Sequence, residues 1–294
     1  MKKINKEKSL VIQNKAIVNF TKFQLNITKK LLKKEATEWL KVAEKFIQKE
    51  SYADAIDACM KALEIKPDSH KAYRISGVAR MLIGDTADAL EDFAEALKIA
   101  PSDIDTYLER GYLYYDLADY ANAIKDFSTI INLQPEKAAA WYSRAYAKYE
   151  LKQFPEAIED FTQTIALEPN YVEAWYNRGY TKFDLKDYRG AIADFTETIK
   201  LQPNHLNAYA NRGEARYYVG HVRDAISDYT IVLKREDDAA NAWYNRGVAN
   251  TDLLNYPAAL YDLEKALNLD HPGAAVAIEK VKKAVELKKK RSNK

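Results

Sequence analysis

The chain has 294 residues, is 47% hydrophobic and 30% charged, and carries a formal net charge of +2. That composition is globular, no apolar run approaches the roughly 18 residues of a membrane span, and one cysteine excludes a disulfide scaffold or a cysteine-rich metal site. The charge is unevenly placed: residues 1–35 sum to +8, residues 274–294 to +6, and the stretch between them to −12.

The first segment, residues 1–35, holds ten Lys and two Glu. Ile17, Phe20, Phe23, Ile27 and Leu31 can share one helix face, whereas the alternation of Phe23, Leu25 and Ile27 leaves a short strand or irregular segment open. The expectation is a helix that caps the acidic body of the chain, or a partly disordered basic start. Its charge, opposite to that of the body, raises a second idea, that the segment lies in a groove of the body. No continuous apolar stretch and cleavage site mark a secretory signal. With Cys59 the lone cysteine, a cytoplasmic location is expected.

From Ala36 a 34-residue period sets in, giving units 36–69, 70–103, 104–137, 138–171, 172–205, 206–239 and 240–273. One column is alanine throughout: Ala55, Ala89, Ala123, Ala157, Ala191, Ala225 and Ala259. A second is aromatic: Trp39, Tyr73, Tyr107, Trp141, Trp175, Tyr209 and Trp243. A third is small: Ala43, Gly77, Gly111, Ala145, Gly179, Gly213 and Gly247. A period without insertions means a stack of like supersecondary units, which makes surface rather than an enclosed pocket. In the fifth unit Trp175, Arg178, Gly179, Lys182 and Phe183 step at helical spacing, and Asp187 and Tyr188 interrupt them. A second helix comes next with Ala191, Ile192, Phe195, Ile199 and Leu201, and Pro203 stops it. Pro155 and Pro257 open second helices, where a missing N–H is harmless. Gly179 and Ala191 allow the two helices to approach closely, with Trp175 and Phe195 filling the space around them.

These columns resemble the tetratricopeptide repeat, a 34-residue helix–turn–helix with W-L-G-Y-A-F-A-P at positions 4, 7, 8, 11, 20, 24, 27 and 32. Position 24 reads Cys59, Phe93, Phe127, Phe161, Phe195, Tyr229, Leu263; position 32 is Pro67, Pro101, Pro135, Pro169 and Pro203 before lapsing to Asp237 and His271. The resemblance implies an all-α superhelical solenoid of seven repeats. Residues 274–294 then read as a capping helix and basic tail, with Val276, Val281, Val285 and Ile278 inward. Two columns depart from the family. Position 11, usually Tyr, holds Arg80, Lys148, Lys182, Arg216 and Asn250, and position 7, usually Leu, holds Arg110, Arg144, Arg178, Arg212 and Arg246.

The arginines face an aspartate column in the second helices: Asp92, Asp126, Asp160, Asp194, Asp228 and Asp262. Each Arg can reach the Asp of its own unit or that of the unit before. Ser76 stands in the Arg column of the second unit, which would leave Asp92 alone under in-unit pairing, and it matches Ala58 under backward pairing. The expectation is therefore inter-repeat salt bridges Asp92–Arg110, Asp126–Arg144, Asp160–Arg178, Asp194–Arg212 and Asp228–Arg246, with Asp262 left over.

His70, His205, His221 and His271 show no ligand spacing, and neither a Gly-rich phosphate loop nor a nucleophile–His–acid set occurs. No catalytic residue, metal or cofactor is expected. In the family the first helices line a concave groove through positions 2, 5, 6, 9, 12 and 13. Carried over, those positions give Tyr142, Tyr176, Tyr244; Tyr112, Tyr146, Tyr180; Tyr115, Tyr149, Phe183, Tyr217; Asp116, Glu150, Asp184, Tyr218, Asp252; and Asn177, Asn211, Asn245. The asparagines are similar to the ladder in the superhelix of O-linked N-acetylglucosamine transferase, where amides hold an extended peptide backbone; Ser143 breaks that column here.

The family's chaperone-tail clamp is not matched, because from Arg74 onward the required places hold Val78, Glu109, Ala139 and Ser143. The resulting expectation is a non-catalytic scaffold binding a protein or an extended peptide, basic or neutral in preference to acidic, in a tyrosine-lined, acid-edged groove. The alternative is an adaptor holding nucleic acid or anionic membrane through the basic ends; nucleic acid is disfavoured by the acidic body.

Overall fold

The structure is a computed structural model. It describes the backbone of residues 2–292; the side chains of residues 2–21, 23, 27, 289, 291 and 292 lie outside the description. Among the described residues every regular element is a helix, as the period requires, and no helix is long and apolar enough to cross a membrane.

The chain divides into two compact units, residues 1–133 and 134–294. The first holds α1 (Lys2–Gln48), α2 (Tyr52–Ile65), α3 (His70–Ile83), α4 (Thr86–Ile99), α5 (Ile104–Asp116) and α6 (Tyr120–Leu133), which form three antiparallel pairs. The second holds α7 (Ala138–Glu150), α8 (Phe154–Leu167), α9 (Val172–Asp184), α10 (Tyr188–Leu201), α11 (Leu206–Tyr218), α12 (Val222–Leu233), α13 (Ala240–Asp252), α14 (Tyr256–Asn268) and α15 (Ala274–Ser292). In each unit a helix contacts its own partner most and the adjacent pair next, which is the contact pattern of a solenoid.

Each pair closes on the small residues. All seven alanines of the first column are fully buried. At Gly179 a Cβ would stand 3.0 Å from Phe195 Cε1 and 3.1 Å from Asp194 Cβ, so the first helix meets the second with no room for a side chain. The aromatic column does more than fill space. Trp175 Nε1 donates to the Pro169 carbonyl at 2.9 Å, Trp141 Nε1 to that of Pro135 at 2.8 Å and Trp243 Nε1 to that of Asp237 at 2.8 Å, tying each first helix to the loop before it.

The turn inside every repeat uses one left-handed residue: Glu50, Gly84 and Ala118 in the first unit, and Lys152, Lys186, Gly220 and Leu254 in the second. The next residue then reaches back to close the helix end, as Asp187 N–H does to the Lys182 carbonyl at 2.8 Å and Gln153 N–H to that of Lys148 at 3.0 Å.

The two ends differ from expectation in part. Residues before Ala36 do not fold back as a separate cap; they continue the first helix of the first repeat, so that α1 is 47 residues long. Leu25 and Leu31 are 55% and 62% exposed, and among the described side chains Ala36 is the first buried one, where the repeat period also begins. Ile17, Phe20, Phe23 and Ile27 fall outside the described side chains. At the other end α15 caps α14 through Ile278 and Val281, with Val285 partly buried against the same cluster, while Ala274 is buried with Trp243 and Ala266. Val276, expected inward, is 61% exposed, because the inward stripe steps from 274 to 278 to 281 and passes it by.

Candidate functional site

The arginine and aspartate columns meet within repeats, which overturns the backward register. Arg110, Arg144, Arg178, Arg212 and Arg246 each grip the Asp of their own unit by two hydrogen bonds, from Nε and Nη2, at 2.7 to 3.0 Å. The partners are Asp126, Asp160, Asp194, Asp228 and Asp262, so Asp262 is not left over. The close approach at position 8 is the cause, since it sets positions 7 and 8 of the first helix directly against 23 and 24 of the second.

Position 11 supplies a further donor to the same carboxylate. Lys148 reaches Asp160 and Lys182 reaches Asp194, each at 2.7 Å, Arg216 reaches Asp228 at 2.7 Å, and Asn250 reaches Asp262 at 3.1 Å. This also explains Asp92. Its cation is Arg80, 3.1 Å away, rather than a position-7 arginine, and burial holds its carboxyl above the ordinary range despite Ser76 and Arg80. What does run backward is a hydroxyl link. Arg178, Arg212 and Arg246 donate their Nη1 to Thr162, Thr196 and Thr230 of the preceding repeat at 3.0 to 3.2 Å.

The tyrosine and asparagine columns of the second unit also pair. Asn177 Nδ2 donates to Tyr142 Oη at 2.8 Å, and Asn211 Nδ2 donates to Tyr176 Oη at 3.0 Å. Tyr149 Oη donates to Asp184 and Tyr217 Oη to Asp252, both at 2.6 Å. Burial, reinforced by these acceptors, pushes the Tyr149 hydroxyl up and that of Tyr217 up to about 12. Two asparagines of the expected ladder thus present their amide protons to the neighbouring repeat.

What remains open is aromatic. Tyr146, Tyr149, Tyr176, Asn177 and Tyr180 converge on a recess of about 270 Å³, with Tyr146 37% and Tyr180 39% exposed. Tyr142 lies between Tyr171 and Tyr146, with ring centroids 5.0 and 6.3 Å away. Glu150 is half-buried beside this row. In the first unit Tyr112 is 40% exposed beside Phe127, Tyr115 stands 5.2 Å from Tyr120, and Asp116 is exposed. A larger recess of about 570 Å³ opens among Asn211, Tyr244, Asn245 and residues outside the expected set, Ala210, Glu214 and Tyr229. The signal for it was legible in the columns. Repeat six breaks its own pattern at positions 5, 9 and 24 together.

Models of the tetratricopeptide repeat match residues 40–104, 104–137, 138–171, 172–205 and 210–275, well over half of the chain. The chain belongs to the tetratricopeptide repeat family. Among solved structures, this tetratricopeptide repeat chain is similar to MamA at 25% identity and a TM-score of 0.55, over 58% of this chain and 93% of that one. YrrB, described as a TPR protein with an unusual peptide-binding site, is 22% identical with a TM-score of 0.58, over 64% of this chain and 97% of its own. The C-terminal part of a TPR repeat-containing protein from Cytophaga hutchinsonii is 17% identical with a TM-score of 0.71, over 81% and 99%. No curated protein matches. The family and fold are those of protein-interaction scaffolds.

Proposed function

We propose that this chain is a non-catalytic scaffold that binds an extended peptide, or an extended segment of a partner protein, along the first helices of its repeats. The observation that carries this reading is the row of Tyr142, Tyr146, Tyr149, Tyr176 and Tyr180 in the second unit. Its rings contact one another at centroid distances of 6.1 to 6.4 Å while two of them keep more than a third of their surface in solvent. Packing alone does not require tyrosines in that position, and rigid aromatic area with a polar tip suits peptide recognition at small entropic cost. Asp184 and Asp252 accept hydrogen bonds from tyrosines and put carboxylates along the edge of this row, an edge that favours basic or neutral peptides. The compartment proposed is the cytoplasm.

The test is fluorescence anisotropy with labelled decapeptides that alternate Lys with Ala and Tyr, against twins carrying Glu for Lys. Tighter binding of the Lys peptide is expected, weakening with salt because exposed charges are screened beyond about 10 Å at 0.1 M. A Tyr146→Ala/Tyr180→Ala variant should lose most of the affinity. Tighter binding of the Glu peptide, or full binding by that variant, refutes the reading.

A further inference from the structure

We infer that the larger recess in the sixth repeat is a specificity pocket for one basic side chain, lysine or arginine, of the bound peptide; this rests on the peptide-binding reading above. At position 5, Tyr142 and Tyr176 fill the space beside the following repeat and accept from its asparagine. Ala210 occupies that place in the sixth repeat, so no ring fills the space, and the side-chain amide of Asn245 has no hydrogen-bond partner among the described residues. At position 9, where the fourth and fifth repeats have Tyr146 and Tyr180, the sixth has Glu214. At position 24, where repeats two to five have phenylalanine, it has Tyr229, which is 1% exposed and whose hydroxyl has no hydrogen-bond partner among the described residues. All three departures line the same recess of about 570 Å³, and a smaller one of about 190 Å³ shares Glu214, Tyr229, Tyr244 and Asn245 with it.

The chemistry of the walls selects the occupant. Glu214 and Glu236 contribute carboxylates, and neither lysine nor arginine lines the recess. Glu214 is in no ion pair among the described residues, and burial alone holds its carboxyl above the ordinary range. A half-buried carboxylate without a counter-charge gains from a cation, and a cation that hydrogen-bonds to it is also held in place. Ala210 and Val232 offer apolar surface to the methylene stem of a basic residue. Tyr244 adds an aromatic wall, itself stacked on His271 at 4.0 Å.

The test uses a small probe, Nα-acetyl-lysine N-methylamide, titrated into ¹⁵N-labelled full-length protein while the side-chain amide of Asn245 is followed by NMR. The arginine analogue is run beside it to rank the two cations, and the uncharged norleucine analogue is the control. A saturable shift of Asn245 with a cationic probe is expected, about tenfold weaker or lost in Glu214→Gln. Ala210→Tyr restores the residue of the two preceding repeats and should abolish the shift while leaving the melting temperature equal or higher. An equal response to norleucine, an unchanged response in Glu214→Gln, or no response to either cation overturns the inference. The decapeptide experiment separates this failure from that of the scaffold reading. Binding that needs Tyr146 and Tyr180 but ignores Ala210→Tyr and Glu214→Gln sinks only the pocket.

Discussion

Replacing Asp194 by alanine strips the electrostatic centre from one repeat. Asp194 is 2% exposed and accepts from Arg178 Nε at 2.9 Å, Arg178 Nη2 at 2.7 Å and Lys182 Nζ at 2.7 Å. Without it, two cations whose side chains are only 12% and 18% exposed face each other with no counter-charge. Removing one partner of a buried pair costs about 3–5 kcal/mol; the residual solvent access of both cations places this case near the lower end, about 3 kcal/mol. Urea unfolding followed by circular dichroism, fitted with nearest-neighbour coupling between repeats, reads the change. A double-mutant cycle then identifies the pairing. Asp194→Ala with Arg178→Met should show a coupling of about 1.5–3 kcal/mol, whereas Asp160→Ala with Arg178→Met should be additive within about 0.5 kcal/mol. A coupling of Arg178 to Asp160 as large as that to Asp194 would refute the in-repeat assignment.

Lys152→Gly and Lys186→Gly should each stabilise by about 0.5–1 kcal/mol in the same urea assay, because glycine removes the left-handed strain at those turns and returns part of the gain as chain entropy. Gly220→Ala should destabilise by a similar amount, about 1 kcal/mol. Affinity for the lysine probe should rise as pH climbs above the ordinary carboxylate range. The sign comes from Glu214: its carboxyl titrates above the ordinary range in the empty chain, so its contribution to folding is full at low pH and is lost as pH rises through that value, whereas a bound cation favours the carboxylate. The groups facing it are Tyr180, Tyr217, Tyr218, Tyr229, Tyr244, Glu236 and His271, and Glu214→Gln should flatten the profile measured by NMR titration. Cys59 is fully buried, and burial with nearby Asp92 and Glu44 pushes its thiol up to about 12. Iodoacetamide at about pH 8 should therefore leave the native protein unlabelled, and labelling should accompany urea unfolding of the first repeat.

The helix pairs were readable from the columns because each column does one steric job. Glycine or alanine at position 8 and alanine at position 20 can only mean close contact, and all seven alanines of position 20 are fully buried. The same contact contained the answer to the salt bridges. Once Gly179 is set against Phe195, its neighbour Arg178 must lie beside Asp194. The backward register rests instead on Ser76 as the deciding exception, whereas position 11 supplies Arg80 to Asp92. Lysine and arginine replacing the family's tyrosine at position 11 marked that substitution in plain view. The groove columns were legible as columns but not as hydrogen bonds. Side chains 35 residues apart, such as Tyr142 and Asn177, meet only through the offset between adjacent repeats, which no single repeat reveals.

Because each position-7 arginine grips the aspartate of its own repeat, the helix pairs of repeats three to seven each complete this ion pair before they meet a neighbour. Repeats can therefore be removed or duplicated whole, as cassettes. Excising residues 172–205 would break no arginine–aspartate pair, since Arg178 and Asp194 would leave together. The new junction would bring Arg212 to Thr162 and Asn211 to Tyr142, the same residue types that those side chains meet now in Thr196 and Tyr176. One tie would not be rebuilt. Tyr149 would face Tyr218 in place of Asp184, so a shortened chain should keep its fold and lose a rung of its acidic edge.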